Sequence, residues 1–182
     1  MLCLLNYAVH HRGGQGPLKQ LTIVRHAKSS WKHPGMVDHD RPLNARGERD
    51  APEMGRRLAA RGVLPDLVLS SPALRALTTA QVITGVIGYP ADYIALDVRV
   101  YEAAASDLLD LIRETDDKVG SVMVFGHNPA VTGLVNRLSE TSLDNLPTCG
   151  VAEFLFDMKT WAKLGKTPAS DVRIDYPKKA SV

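Results

Sequence analysis

Two arginines and two histidines carry the chemistry of this chain. They are Arg25 and His26 after the apolar run 21–24, Arg75 in Ser70-Ser-Pro-Ala-Leu-Arg75, and His127 in Phe125-Gly-His-Asn-Pro129. A neutral imidazole attacks a phosphoryl group when one ring nitrogen faces phosphorus and the other is held by an acceptor such as a backbone carbonyl. The phosphoryl oxygens need fixed positive charge, which the planar fork of arginine supplies. Most of the catalysis in phosphoryl transfer is positioning and charge stabilisation. His26 is therefore the candidate nucleophile and Arg25 and Arg75 the candidate oxygen ligands. His127 is either a donor from the far side of the group or a satisfied core histidine.

An alkoxide leaving group also needs a proton donor. Glu102, in Val100-Tyr-Glu-Ala-Ala, follows a β-prone stretch and reads either as that acid (then as the base for water) or as a helix cap. Ser29 and Asn44 either donate to phosphate or shape turns. Lys32 either adds charge to the pocket or points into solvent. The sequence shows no P-loop and no metal-ligand spacing, so the pattern asks for no metal and no cofactor.

These residues have to be brought together by the elements between them. Residues 21–24, 66–70 and 121–125 read as short buried strands, with residues 94–100 as a weaker one and 151–158 and 172–176 as late strands. Asn44 reads as the N-cap of a helix running to Arg61, which Pro52 should kink or divide and Gly62 should end. Pro72 suits the first turn of a helix to about Val86. Ser106 reads as the cap of a helix through Glu114, and a further helix should run from Pro129 to about Ser139. Residues 28–41 read as a polar loop, with Trp31 either packed on it or meeting substrate. Strands alternating with helices imply βαβ units and a largely parallel sheet. In such a sheet the strand C-terminal ends face one crevice, and there all four residues fall.

With 182 residues, 45% of them apolar, the chain suits one domain with a substantial core. A net charge of +2 argues against a general nucleic-acid or membrane partner. Cys3 and Cys149 have no metal-ligand spacing and are expected to stay reduced, as in a cytoplasm. Residues 1–18 read as an N-terminal extension that fits a signal peptide poorly, residues 19–177 as the domain, and residues 178–182 as a frayed tail.

Taken together, Arg25-His26-Ala27, Leu43-Asn-Ala-Arg-Gly47, Ser70-Ser-Pro-Ala-Leu-Arg75 and Gly126-His127-Asn128-Pro129 resemble the histidine phosphatase superfamily, in family order over about residues 20–158. Arg-His-Ala-Lys-Ser-Ser-Trp and the short chain look most like the small bacterial phosphohistidine phosphatases. The resemblance implies an α/β three-layer sandwich, phosphoglycerate mutase-like, with a mostly parallel central sheet. It also implies a phosphoenzyme at His26, a phosphate pocket of Arg25, Arg75 and His127, and an acid at Glu102, with no metal. Two departures stand out: Arg-His-Ala replaces the usual Arg-His-Gly, and Lys32 stands where many members carry Asn.

The expected activity is a phosphatase acting on a phosphorylated protein or a small phosphorylated substrate. A mutase needs covering segments to exclude water, and no long insertion separates Arg75 from His127. A non-catalytic phosphate-binding module is the alternative of another class, and loss of the nucleophile would mark it.

Overall fold

Apolar side chains alternate along the central strands, and each alternate set buries against a different pair of helices. The computed structural model describes residues 18–32 and 35–179. In chain order the elements are β1 (Leu18–Arg25), α1 (Ala45–Ala60), β2 (Leu67–Ser70), α2 (Leu74–Ile87), β3 (Ala95–Leu96), α3 (Ala105–Arg113), β4 (Ser121–Gly126), α4 (Ala130–Leu138), β5 (Val151–Asp157) and β6 (Asp171–Asp175). They form one six-stranded mixed sheet in the order β3-β2-β4-β1-β5-β6. The first four of these strands run parallel, β5 runs antiparallel to β1, and β6 antiparallel to β5.

On one face Leu21, Ile23, Val122 and Val124 bury with Leu108 and Ile112 of α3 and Val131 and Leu134 of α4. On the other, Val24, Val68, Met123 and Phe125 bury with Met54 and Leu58 of α1 and Ala80 and Ile83 of α2. The period-two alternation thus produces three layers. α1 and α2 approach closely at Gly55, where a Cβ would lie 2.9 Å from that of Val86.

The start of α1 is tied to the end of β1. Asn44 caps the helix, its Oδ1 accepting from Arg46 N and Gly47 N at 3.0 Å each. Its own backbone N–H donates to Lys28 O at 2.9 Å. Gly47 packs against the same carbonyl, which a Cβ there would overlap. The motif Leu43-Asn-Ala-Arg-Gly47 is therefore a clasp between the first helix and the segment after His26.

Several sequence expectations change in detail. Pro52 does not divide α1, which runs unbroken; Ala51, Met54 and Leu58 on either side of it are buried, and this packing outweighs the lost backbone bond. Ser106 is not the cap of α3. The helix begins at Ala105 with Ala104 at the cap position, two residues earlier, and the Asp107 carboxylate accepts from Ala104 N at 2.8 Å. The β-prone run 94–100 keeps only Ala95–Leu96 as strand, because it sits on the sheet edge with one partner, β2, and turns into short helical segments on both sides. The expected extension 1–18 lies outside the described residues except Leu18, which opens β1. Among the described residues no helix is long and apolar enough to cross a membrane.

Gly47→Ala should destabilise the fold by about 1–3 kcal/mol, the usual range for overpacking. Asn44→Ala should cost about 1 kcal/mol as a lost cap. Denaturant unfolding checks both, and unchanged midpoints would remove the clasp from the account.

Candidate active site

The end of β1 is held by backbone bonds from the strands beside it and from α2. His26 N donates to Gly126 O of β4 at 3.1 Å. Arg25 N donates to Gly150 O at 3.0 Å, and Cys149 N donates to both Arg25 O and His26 O at 3.1 Å. Ala27 N donates to Thr79 Oγ1 of α2 at 3.0 Å. The His26 side chain is locked in turn: its Nδ1–H donates to Ala27 O at 2.7 Å. That bond fixes the tautomer and leaves Nε2 with a free lone pair.

His127 follows β4, and its ring centroid lies 5.0 Å from that of His26, tilted by 52°. Its Nε2 meets Ser71 Oγ at 2.8 Å, and that hydroxyl already accepts from Ala73 N at 3.2 Å. Among the described residues the hydroxyl hydrogen has no other acceptor, so donation to Nε2 satisfies it and leaves the ring proton to Nδ1. Nδ1 is buried and has no partner.

Arg75, in the first turn of α2, is 6% exposed. Its guanidinium donates to Asp38 O at 2.6 Å and to Asp38 Oδ2 at 2.8 Å. Tyr101 OH donates to the same Oδ2 at 3.0 Å, and Arg41 Nη1 donates to Oδ1 at 2.7 Å. The Tyr101 ring packs edge-on against His127 and His39 at 5.6 and 5.3 Å. Arg25 lies on the other side of His26. Its Nη1 donates to Asn145 Oδ1 at 2.9 Å and Leu146 O at 2.6 Å, while its Nε is buried without a partner.

Burial is the main reason the His26 imidazole falls to about 4; the Ala27 bond opposes the shift, and Arg75, Arg25 and Arg41 add to it. Burial also takes His127 down to about 3, helped by His26 and Arg75. Both rings are neutral at pH 7. Burial would raise the Asp38 carboxyl, but the bonds from Arg41 and Tyr101 and the charge of Arg75 outweigh it and hold it at about 2. Cys149, directly behind this centre, is a buried free thiol raised to about 12 by burial.

Arg25, His26, Arg75 and His127 are thus gathered at one sheet edge. The other sequence candidates stand elsewhere or are occupied. Glu102 is exposed and lines a separate groove with Arg99, Asp107 and Glu114; its neighbour Tyr101 takes the place in the centre. Ser29 is buried with its Oγ accepting from Arg41 Nη2 at 2.6 Å, and Asn44 is spent on capping α1. Lys32 is exposed. Trp31 is 74% exposed and stacks on the Arg41 guanidinium, 3.2 Å from its ring centroid.

Asp38, Arg41, Ser71, Thr79 and Tyr101 were not legible as site residues. Asp38 and Arg41 sit one turn apart in a polar loop, a spacing that suits an ion pair but marks no site by itself. Among the described residues no three His, Cys, Asp or Glu side chains cluster as metal ligands.

A family model described as the histidine phosphatase superfamily (branch 1) matches residues 21–102. An uncharacterised protein of Mycobacterium tuberculosis is 36% identical over 139 residues, covering 71% of this chain and 84% of that protein. An uncharacterised chloroplastic protein of Arabidopsis thaliana is 32% identical over 142 residues, 74% of this chain but 65% of its own length. Among solved structures, the "putative phosphohistidine phosphatase SixA" of Agrobacterium tumefaciens superposes with a TM-score of 0.70 and 29% identity over 85% of this chain and 97% of that one. A mycobacterial glucosyl-3-phosphoglycerate phosphatase shares the fold, with a TM-score of 0.61 and 15% identity over 90% of this chain and 100% of that one.

Two outcomes follow from this geometry. The His26 imidazole should titrate by NMR with a midpoint near 4 rather than 6.5. Both histidines have folded values below the unfolded one, so the unfolded chain takes up protons first. Stability should then decline as pH falls below about 6.5 and level off past the folded values. Second, Asp38 holds the fork that an incoming anion needs, so Asp38→Asn should tighten inhibition by inorganic phosphate a few-fold. That matches a half-exposed ion pair worth up to about 1 kcal/mol. Weaker phosphate inhibition would instead make Asp38 a support for Arg75.

Proposed function

The chain belongs to the histidine phosphatase superfamily, and we propose that it is a metal-independent phosphatase in which His26 transiently carries the phosphoryl group. The observation that carries this reading is the facing pair of imidazoles, each with one ring nitrogen bound to the protein and the other free. His26 presents Nε2 as a lone pair because Nδ1 is bound to Ala27 O, and His127 presents Nδ1–H, buried and unpartnered, from the facing ring. Arg25 Nε is a second buried donor without a partner, and across His26 the Arg75 fork is held by the Asp38 carboxylate.

In the first step His26 Nε2 attacks phosphorus, the bond to the leaving group breaks, and that group departs with the bonding electron pair. Arg25, Arg75 and His127 Nδ1–H stabilise the charge on the equatorial oxygens. Water then attacks the phosphohistidine, phosphate leaves, and neutral His26 returns. The low value of His26 keeps its nucleophilic form populated across neutral pH.

The leaving group narrows the substrate. Around the histidine pair the Asp38 carboxyl is held at about 2, the imidazoles at about 4 and 3, and the Tyr101 hydroxyl is raised by burial and by Asp38. None of these is poised near pH 7 as an acid. A phosphorylated imidazole departs as a neutral ring once its other nitrogen holds a proton, so it needs no such donor. An alkyl ester does need one. This favours protein phosphohistidine over alkyl phosphomonoesters, and likeness to the Agrobacterium structure points the same way. Exposed Trp31 and Val37, on the segment leading to Asp38, suit contact with a protein surface.

The test measures phosphate release from a phosphohistidine-bearing protein, from para-nitrophenyl phosphate and from an alkyl phosphate, with and without a chelator. The expected result is chelator-resistant turnover, fastest on phosphohistidine and slowest on the alkyl ester. His26→Ala should abolish turnover and the acid-labile phosphoenzyme; an undiminished rate sinks the mechanism. Arg75→Ala should lower kcat/KM by on the order of 10²–10³, as for loss of an oxyanion donor. Glu102→Gln should change it less than about twofold, the usual outcome for a side chain that touches no reacting group. A much larger loss, confined to the alkyl ester, would restore Glu102 as the acid.

A further inference from the structure

We infer that the basic groove on the far side of Arg25 is a second anion site, which holds a carboxylate or phosphate of the substrate beside the phosphoryl group under attack. The inference rests on the proposed function for the identity of the first anion. The groove is open to solvent, has a volume of about 360 Å³, lies beside the end of β1 that carries His26, and is lined by Arg25, Lys28, Arg46, Thr148 and Lys178 among others. Four cations face one carboxylate, that of Asp50. Asp50 is 8% exposed and already takes Arg49 at 3.0 Å and Arg46 at 3.9 Å. The ion pairs among the described residues use neither Lys28 nor Lys178. The Arg25 guanidinium meets only neutral groups, Asn145 Oδ1 and Leu146 O.

The walls are built rather than loose. Arg57 of α1 holds the chain after β6 by donating to Asp175 Oδ1 at 3.0 Å, Tyr176 O at 3.3 Å, Lys179 O at 3.2 Å and Pro177 O at 3.4 Å. Arg46 is held across the groove by Thr148 Oγ1 at 3.1 Å. Clustered cations without counter-charge repel one another, and an anion between them relieves that repulsion.

Topology sets the spacing. Arg25 ends β1, Thr148 precedes β5 and Lys178 follows β6, while His127 and Arg75 lie toward β4 and β2. Neighbouring strands are about 4.8 Å apart, so the groove lies roughly 5–10 Å from the phosphoryl site. That is about two to three residues of extended chain at roughly 3.3 Å each. For a protein substrate the second anion is therefore an Asp or Glu within about three residues of the phosphorylated one. For a small molecule it is a second phosphate at similar distance.

The experiment uses the full chain and the double variant Lys28→Glu/Lys178→Glu, whose native side chains make no hydrogen bond or ion pair with the four central residues among the described residues. Turnover of para-nitrophenyl phosphate gives the basal activity, which the variant should leave within twofold. Phosphohistidine peptides with Glu or with Ala at the second and third flanking positions test the protein source. Fructose 1,6-bisphosphate against fructose 6-phosphate tests the small-molecule source. The more acidic member of one pair should be preferred on the order of tenfold in kcat/KM, as two or three screened ion pairs allow. The preference should shrink with added salt and vanish in the variant.

Binding to His26→Ala protein of peptides carrying a hydrolysis-resistant phosphohistidine analogue gives a readout that needs no turnover. Acid-dependent binding lost in Lys28→Glu/Lys178→Glu, without turnover of any substrate, would keep the groove and overturn the phosphatase reading. Turnover with no preference in either pair, or a preference unchanged by charge reversal, would overturn the groove.

Discussion

Every functional distance in this protein depends on how the last residues of β1 are pinned. Five backbone bonds converge on residues 25–27, from β4, from the turn into β5 and from Thr79 of α2. The Ala27 carbonyl then fixes the imidazole of His26. A nucleophile must be placed within a few tenths of an ångström to attack, and a loop residue without these anchors would sample many orientations. Because the anchors come from neighbouring strands and from α2, the packing of that helix layer on the sheet is itself a requirement of the site. The Asn44–Gly47 clasp adds the N-terminus of α1 to the same support.

The electrostatic arrangement follows from that burial. Bringing Arg25, Arg75 and two imidazoles together out of water disfavours further positive charge, so both rings stay neutral. The arginines keep theirs, and one carboxylate, Asp38, answers Arg75 from a loop that is half open to solvent. A centre of this kind attracts an anion, and the Asp38 carboxylate already sits on the Arg75 fork. Arg41 follows the short helical turn Asp38–Asp40 and packs behind Asp38 at 7% exposure, bonded to Ser29 and Ser30.

The strand order divides the crevice. On the β4 and β2 side the surroundings of His26 are aromatic, with Arg75 and Arg41 answered by Asp38; on the β5 and β6 side four cations line a groove with one carboxylate, Asp50. Arg25 stands on the boundary between the two. This asymmetry comes from placing two antiparallel strands beside β1, which adds the chain after β6 to an edge that would otherwise be formed only by parallel strands and their loops.

The sequence by itself determined the alternation that sorts Leu21, Ile23, Met123 and Phe125 to two faces, the parallel βαβ frame, and the four residues at strand ends. Those signals are local: a period of two, a cap, a Gly after a helix, an Arg-His at the end of an apolar run. Only the tertiary structure decided which neighbours those four acquire. Asp38 reaches Arg75 across 37 residues and Tyr101 reaches Asp38 across 63, and no local pattern encodes such meetings. The same holds for Glu102. A β-prone run ending in Tyr-Glu gives either residue to the crevice, and the turn after β3 delivers Tyr101 and leaves Glu102 in solvent, because the edge strand ends after two residues and the chain leaves the sheet in a helical turn.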